Sequence, residues 1–296
     1  MRRLLPPISS IAQWVRFIAD CRATSLADSA KMFTNKSIFV ARHALRRLES
    51  FRLYPASDWL DSPFHLRGLV TWSPVSETWY VLEDAGTPGA MARSRVEPED
   101  WMMEALLPEM TVIDVGAHQG RYAIQFSRRV GEKGLVLAVE PEDRNLALLN
   151  RNLELNEIHN VLAIRGACWS RREPLQLSHG STLDLSRVTQ SAAKNGDLVG
   201  LTLDDLVAEV ALRRVDLVKI DVEGAELEVL EGARGVLREF RPSLFVECHL
   251  IISDVIGWLH KHGYAVHREK QDPNHGEGFG WVLAVPDDGI ANNNYI

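Results

Sequence analysis

Two glycines four residues apart, Gly116 and Gly120, follow an acid in the run Val112-Ile113-Asp114-Val115-Gly116-Ala117-His118-Gln119-Gly120. A short apolar strand that turns into a helix through such a loop lets the backbone approach a ligand at Gly116. Gly120 then lets the helix pack closely on the strand. A dinucleotide fingerprint would need glycines at 116, 118 and 121, but His118 and Arg121 occupy the last two. The spacing is instead acid-x-Gly-x-x-x-Gly, and an acid such as Asp114 would favour positive over negative charge on a ligand beside it. A second acid, Glu140, closes the next apolar run, Ala138-Val139-Glu140-Pro141. A carboxylate there can accept hydrogen bonds from both hydroxyls of a ribose; its plainer use is to cap the helix expected from Asp143.

A further set of residues suits proton transfer. Lys219, Asp221 and Glu223 alternate at the end of one apolar run, and so share one side of the chain. Glu247 and His249 stand in the same relation after the next run. A histidine titrates at about 6.5 when unperturbed, which makes His249 the expected base, with Asp221 orienting it or binding the acceptor. Plainer uses compete: Lys219 pairing with Asp221, Glu223 serving a helix dipole, and His249 being structural. Asp221, Glu223, Glu247 and His249 would also suit a divalent cation, but no dedicated ligand spacing is present and no metal is expected. Thr202 with Asp205 three residues later reads as a helix cap.

The elements that must position these residues follow from hydrophobic periodicity. Strands are expected at 111–113, 135–139, 160–164, 217–220 and 244–246, with helices at 122–130, 143–156, 225–240 and 255–262. Segments 264–267 and 281–285 read as a closing antiparallel pair. Alternating strands and helices imply a doubly wound α/β sheet, with ligands at the carboxyl ends of its strands. The polar stretch 170–200 reads either as a cover for the acceptor site or as a solvated surface hairpin, and 274–280, with three glycines, as a mobile wall. Before this domain, placed at 97–296, residues 1–96 read as a helical cap and a small hairpin. Ile11, Trp14, Val15 and Ile18, then Ile38, Ala41, Leu45 and Leu48, lie at helical spacing. Strands at 64–72 and 78–82 flank Ser73-Pro74, and Gly86 to Gly89 form a linker.

The 296 residues carry 33 Lys+Arg and 40 Asp+Glu, a net charge of −7, which does not favour a nucleic-acid partner. The first 60 residues hold ten basic and four acidic side chains. Basic amphipathic helices of this kind can make weak contact with an anionic membrane surface, but a cap packed on the main domain with its arginines in water is the favoured reading. Three scattered cysteines, Cys21, Cys168 and Cys248, exclude a disulfide framework and a cysteine-rich zinc site. With no spanning apolar run and no signal-peptide core at the start, a cytoplasmic protein is expected.

Four blocks in order, VIDVGAHQGRY (112–122), VEPEDRNLALLNRNLELN (139–156), LTLDDL (201–206) and VKIDVEGAELEVLEGA (218–233), supported by PSLFVECH (242–249), resemble the FkbM-type S-adenosylmethionine (SAM)-dependent methyltransferases. The resemblance spans about residues 97–286. It implies a Rossmann-like class I fold of seven strands, the last antiparallel, and methyl transfer from SAM to a hydroxyl of a sugar, polyketide or related metabolite, leaving S-adenosylhomocysteine. It carries over Asp114, Gly116, Ala117, His118, Gly120, Glu140 and Pro141 as cofactor residues. Ala167 falls in the adenine region, and Asp221 near the cofactor ammonium. Two departures stand out: His118 replaces a common Asn, and Cys168 and Trp169 follow where an acidic adenine ligand is common. Two other functions compete. An NAD(P)-dependent oxidoreductase would share the sheet and the acid at 140, and a non-catalytic binding module would keep the fold without the chemistry. The glycine spacing opposes the first, and retention of Glu140 and the 116–120 loop opposes the second.

Overall fold

The computed structural model describes residues 69–73, 78–82, 98–179, 186–190, 197–272 and 275–287. The chain divides into two units, residues 1–94 and 95–296. In the first, β1 (Leu69–Ser73) and β2 (Thr78–Leu82) form the expected hairpin, antiparallel with Trp72 opposite Trp79. The expected helices of residues 1–50 and the 86–89 linker lie outside the described residues, as do 64–68 of the first strand.

The second unit begins with a short helix, α1 (Glu99–Glu104), and is built on seven strands. These are β3 (Thr111–Val115), β4 (Leu135–Glu140), β5 (Val161–Arg165), β10 (Leu217–Ile220), β11 (Ser243–Cys248), β12 (Tyr264–Gln271) and β13 (Gly280–Pro286). Their order is β12-β13-β11-β10-β3-β4-β5, and β13 alone runs antiparallel to both neighbours. This is the Rossmann-like doubly wound sheet expected from the sequence. Ile113, Leu137, Val218, Val246 and their neighbours are fully buried, as a sheet covered on both faces requires. Helices α2 (Arg121–Val130) and α3 (Asp143–Leu155) connect the first three parallel strands. After β5 the chain returns to lay β10 on the other side of β3. The topological switch point therefore lies between β3 and β10, where the crevice of such sheets opens.

One expectation is extended and another changes. The polar stretch 170–200 contains the hairpin offered by the sequence, within a small second sheet. That sheet comprises β6 (Ala167–Cys168), β7 (Pro174–His179), β8 (Ser186–Gln190) and β9 (Leu198–Leu201), with β7 and β8 a hairpin. The helix expected over 225–240 is two, α5 (Glu226–Glu231) and α6 (Arg234–Phe240). A Cβ on Gly232 would stand 2.0 Å from the Trp169 carbonyl oxygen, so the chain breaks where β6 ends against it. Asp204, in helix α4 (Leu203–Val210), then accepts the N–H groups of Gly235 and Val236 at 2.8 Å, satisfying the start of α6. Thr202 caps α4 as expected, accepting from the Asp205 N–H. The last helix, α7 (Ile252–Lys261), precedes β12. No helix among the described residues is long and apolar enough to cross a membrane.

Candidate active site

The loop after β3 turns through three left-handed residues, Gly116 (φ +77°), His118 (φ +50°) and Gly120 (φ +85°). Its start is tied to β4, because Gly116 and Ala117 both donate to the Val139 carbonyl at 3.0 Å. The neighbour that Gly116 admits is protein: a Cβ there would lie 1.8 Å from the Asp221 carbonyl oxygen. A Cβ on Gly120 would press on Leu149 of α3 at 3.1 Å, so this glycine serves packing between helices more than packing on the strand. Gly116 thus lets the ends of β3 and β10 converge at the switch point, and Gly120 lets α3 close on the loop.

Beneath the loop sits a buried ion pair. Register places Lys219 beside Asp114, and its Nζ donates to Asp114 Oδ1 at 2.9 Å and to the Gly116 carbonyl at 3.0 Å. Asp221 is a second, looser partner at 3.5 Å. The expected Lys219–Asp221 pair is therefore secondary to Lys219–Asp114. Asp114 is wholly buried and faces the ammonium rather than the crevice. Burial pushes its carboxyl up, and Lys219 offsets only part of that effect. Burial opposes the charge on Lys219, but Asp114 and Asp221 together outweigh it and hold the ammonium well above its ordinary range. The ammonium also lies 5.1 Å from the centre of the Tyr122 ring.

Glu140 ends β4 with its side chain buried. Its Oε2 accepts the His118 N–H at 2.8 Å, and Oε1 accepts from Glu142 N at 3.1 Å. It therefore props the loop and steadies the start of α3, with burial pushing its carboxyl up. His118 Nε2 is buried without a hydrogen-bond partner among the described residues. A nucleoside at this edge would meet a carboxylate and an unsatisfied imidazole nitrogen together, so the residues present fit one. Pro141 follows Glu140. Ala167 is reached just after Gly166 N donates to the Glu140 carbonyl, which sets β6 beside the same edge.

The expected proton-transfer residues do converge. His249 Nε2 lies 3.4 Å from Glu223 Oε2 and 4.0 Å from Asp221 Oδ1. Donor atoms of Asp221, Glu247 and His249 fall within 4.8 Å of one another. That spacing could hold a cation, but nothing beyond the cluster itself points to one, and Lys219 already supplies positive charge beside it. Burial and then the charge of Asp221 lift Glu247 to about 7, against a hydrogen bond from Trp281. Burial works against charge on His249, yet the Glu226 hydrogen bond and the charges of Asp221 and Glu223 lift it to about 9. That value lies above the ordinary range expected from the sequence and favours a charged ring at neutral pH.

Residues absent from the sequence reading complete the edge. Glu226 binds His249, Phe279 meets its ring edge-on at 5.4 Å, and Trp281 crosses Phe279 at 5.1 Å. Arg187 of β8 donates through Nε to the Glu223 carbonyl at 2.8 Å, so the small sheet reaches the rim of the site. Only Glu226 carried a sequence signal, an acid in the first turn of a helix, and that reads equally as a dipole residue.

The family described as "Methyltransferase FkbM domain" matches residues 114–266, more than half of the chain. Methyltransferase 1 of Beauveria bassiana is 30% identical over 145 residues, covering 41% of this chain and 57% of that protein. Methyltransferase sdnD of Sordaria araneosa is 30% identical over 154 residues, covering 41% and 59%. The chain thus spans less than two thirds of the length of these curated relatives. Among solved structures, the methyltransferase FkbM of Methylobacillus flagellatus shares 14% identity at a TM-score of 0.44, covering 93% of this chain and 59% of that one. A SAM-dependent methyltransferase of Aquifex aeolicus shares 17% at 0.41, covering 64% and 88%.

Proposed function

The chain belongs to the FkbM methyltransferase domain family, and from that premise we propose that it transfers the methyl group of SAM to a hydroxyl of a small acceptor, such as a sugar, a glycan or a polyketide. One observation carries this reading. The family match, residues 114–266, contains every group gathered at the switch point: Asp114, the 116–120 loop, Glu140, Lys219, Asp221, Glu223, Glu247 and His249. On this reading Glu140 accepts the ribose hydroxyls, and the loop, with Ala117 and His118, backs the nucleoside. Asp221 faces the ammonium of the donor, and Pro141 and Ala167 border its base. Bound SAM supplies a methyl group activated by a sulfonium. The chain's task is to align the acceptor oxygen and receive its proton. A charged His249 has no lone pair for that proton, so it donates a hydrogen bond to the acceptor oxygen. Glu247, lifted to about 7, receives the proton. The acidic net charge supports a small acceptor over a nucleic acid, and the cysteine usage supports a cytoplasmic location.

The test is incubation of the full chain with methyl-labelled SAM and fractionated sugars, lipid-linked glycans and polyketides. The expected result is an ether-linked methyl product with S-adenosylhomocysteine formed in equal amount. Calorimetry that finds binding of NAD(P) and none of SAM would overturn the reading.

A further inference from the structure

We propose that Glu226 is the positioning residue of this site: through Nδ1 it fixes the orientation of the His249 ring and turns Nε2 toward Asp221 and Glu223. Its role in catalysis rests on the methyl-transfer reading above, but its hold on the ring does not. Glu226 opens α5, and its side chain is wholly buried. One oxygen, Oε1, lies 2.7 Å from His249 Nδ1 and accepts the Gly224 N–H at 3.0 Å. A carboxylate only accepts, so Nδ1 must carry the proton. Nε2 is then the nitrogen left to face Glu223 and Asp221.

Stability alone does not account for this residue. Its second oxygen, Oε2, is buried with no partner among the described residues. Drying a carboxylate and leaving half of it unsatisfied is costly, and the start of a six-residue helix offsets only part of that cost. What the arrangement gains is a fixed imidazole. Gly224, at φ +99°, lets the chain turn back so that its N–H meets the same oxygen.

The groups facing His249 come from several elements. Glu226 stands on α5, and Asp221 and Glu223 on the loop after β10. Glu247 lies on β11, two residues before the histidine. Phe279 closes the remaining side, with His275 stacked behind it at 5.0 Å. Lys219 lies behind Asp221. Carboxylates therefore dominate, and they hold the ring charged, consistent with its lift to about 9. Glu226 is the only one of them in hydrogen-bond contact with Nδ1. Removing its charge lowers the pH at which the ring discharges.

The experiment is nitrogen-15 NMR of histidine-labelled full chain, wild type and Glu226→Gln, titrated from pH 5 to 10. The wild type is expected to show a protonated Nδ1 at every pH and a titration near 9. Glu226→Gln, which keeps an accepting oxygen without the charge, is expected to titrate at least one pH unit lower. In turnover assays kcat should fall tenfold or more while SAM affinity stays within twofold, and the alkaline fall in rate should move to lower pH. A wild-type ring that on losing its charge keeps its proton on Nε2 rather than Nδ1, or an unchanged titration in folded Glu226→Gln, overturns the proposal. The wild-type spectrum decides even if the variant does not fold. The expected titration with no methyl transfer to any acceptor supports the hold on His249 and counts against the methyl-transfer reading alone.

Discussion

Replacing Lys219 with methionine would test whether the ion pair under the loop organises the site. The ammonium lies 2.9 Å from Asp114 and 3.0 Å from the Gly116 carbonyl, and both charged side chains are almost wholly buried. Methionine fills much of the lysine stem's volume, so the loss is chiefly electrostatic. Removing one member of a buried pair costs about 3–5 kcal/mol, because the other charge stays uncompensated. The Gly116 carbonyl also loses a donor, worth about 1 kcal/mol. Against a domain stability of roughly 5–15 kcal/mol the change is large. Its pH dependence follows from Asp114. Burial already pushes that carboxyl up, and without the ammonium it rises further. An acid whose pKa is higher folded than unfolded binds its proton more tightly when folded, so the penalty is smallest at low pH and grows as pH rises. Urea unfolding of the full chain at pH 5.5 and pH 8 should show the larger loss at pH 8. The double variant Asp114→Asn with Lys219→Met, which leaves no buried charge behind, should recover at least half of it. A single variant within 1 kcal/mol of wild type at both pH values would refute the argument.

Two further perturbations address the loop and the nucleoside end. Gly116→Ala combines a left-handed φ with a Cβ 1.8 Å from the Asp221 carbonyl, so a loss of about 3 kcal/mol or more is expected, together with weakened SAM binding. Thermal unfolding and calorimetry would read both. Glu140→Gln retains an acceptor for the His118 N–H but loses the charge, and SAM affinity should fall about tenfold; Glu140→Ala should cost about 1.5–3 kcal/mol of binding. Because burial pushes Glu140 up, wild-type affinity should also decline on the acid side as this carboxyl protonates. Unchanged affinity in folded Glu140→Ala would remove it from the site.

The strands and the switch-point loop were legible because each is a local pattern: a short buried apolar run, then glycines at fixed spacing. The convergence of Asp221, Glu223 and His249 was legible for the same reason, since alternation sets which side of a strand end they share. The partner of Lys219 was not. Asp114 is 105 residues away and becomes its neighbour only through the strand order. The break at Gly232 was equally hidden, because its cause is a carbonyl at Trp169 and a carboxylate at Asp204. Glycine spacing alone also could not reveal the Asp221 backbone that Gly116 makes room for, since a missing side chain reads alike whether a ligand or a neighbouring strand end is close.

The charge of His249 is the sharpest instance, because it reverses the expected pH dependence. A histidine at its ordinary value, acting as base, would lose rate as pH falls through about 6.5. In the assembled edge, carboxylates from the β10 loop and α5 lift the ring to about 9, while Glu247 on β11 rises to about 7. If Glu247 must be ionised to take the proton, rate falls as pH drops through about 7. If His249 must be protonated to hold the acceptor oxygen, rate falls again as pH rises through about 9. A bell between these limits is expected for kcat where chemistry limits turnover. Glu247→Gln should lower the rate by about 10²–10⁴-fold with SAM binding retained, and His249→Gln should abolish the alkaline limb. A single acid limb near 6.5, lost in His249→Gln and kept in Glu247→Gln, would show that the histidine takes the proton and that the surrounding carboxylates do not hold it charged.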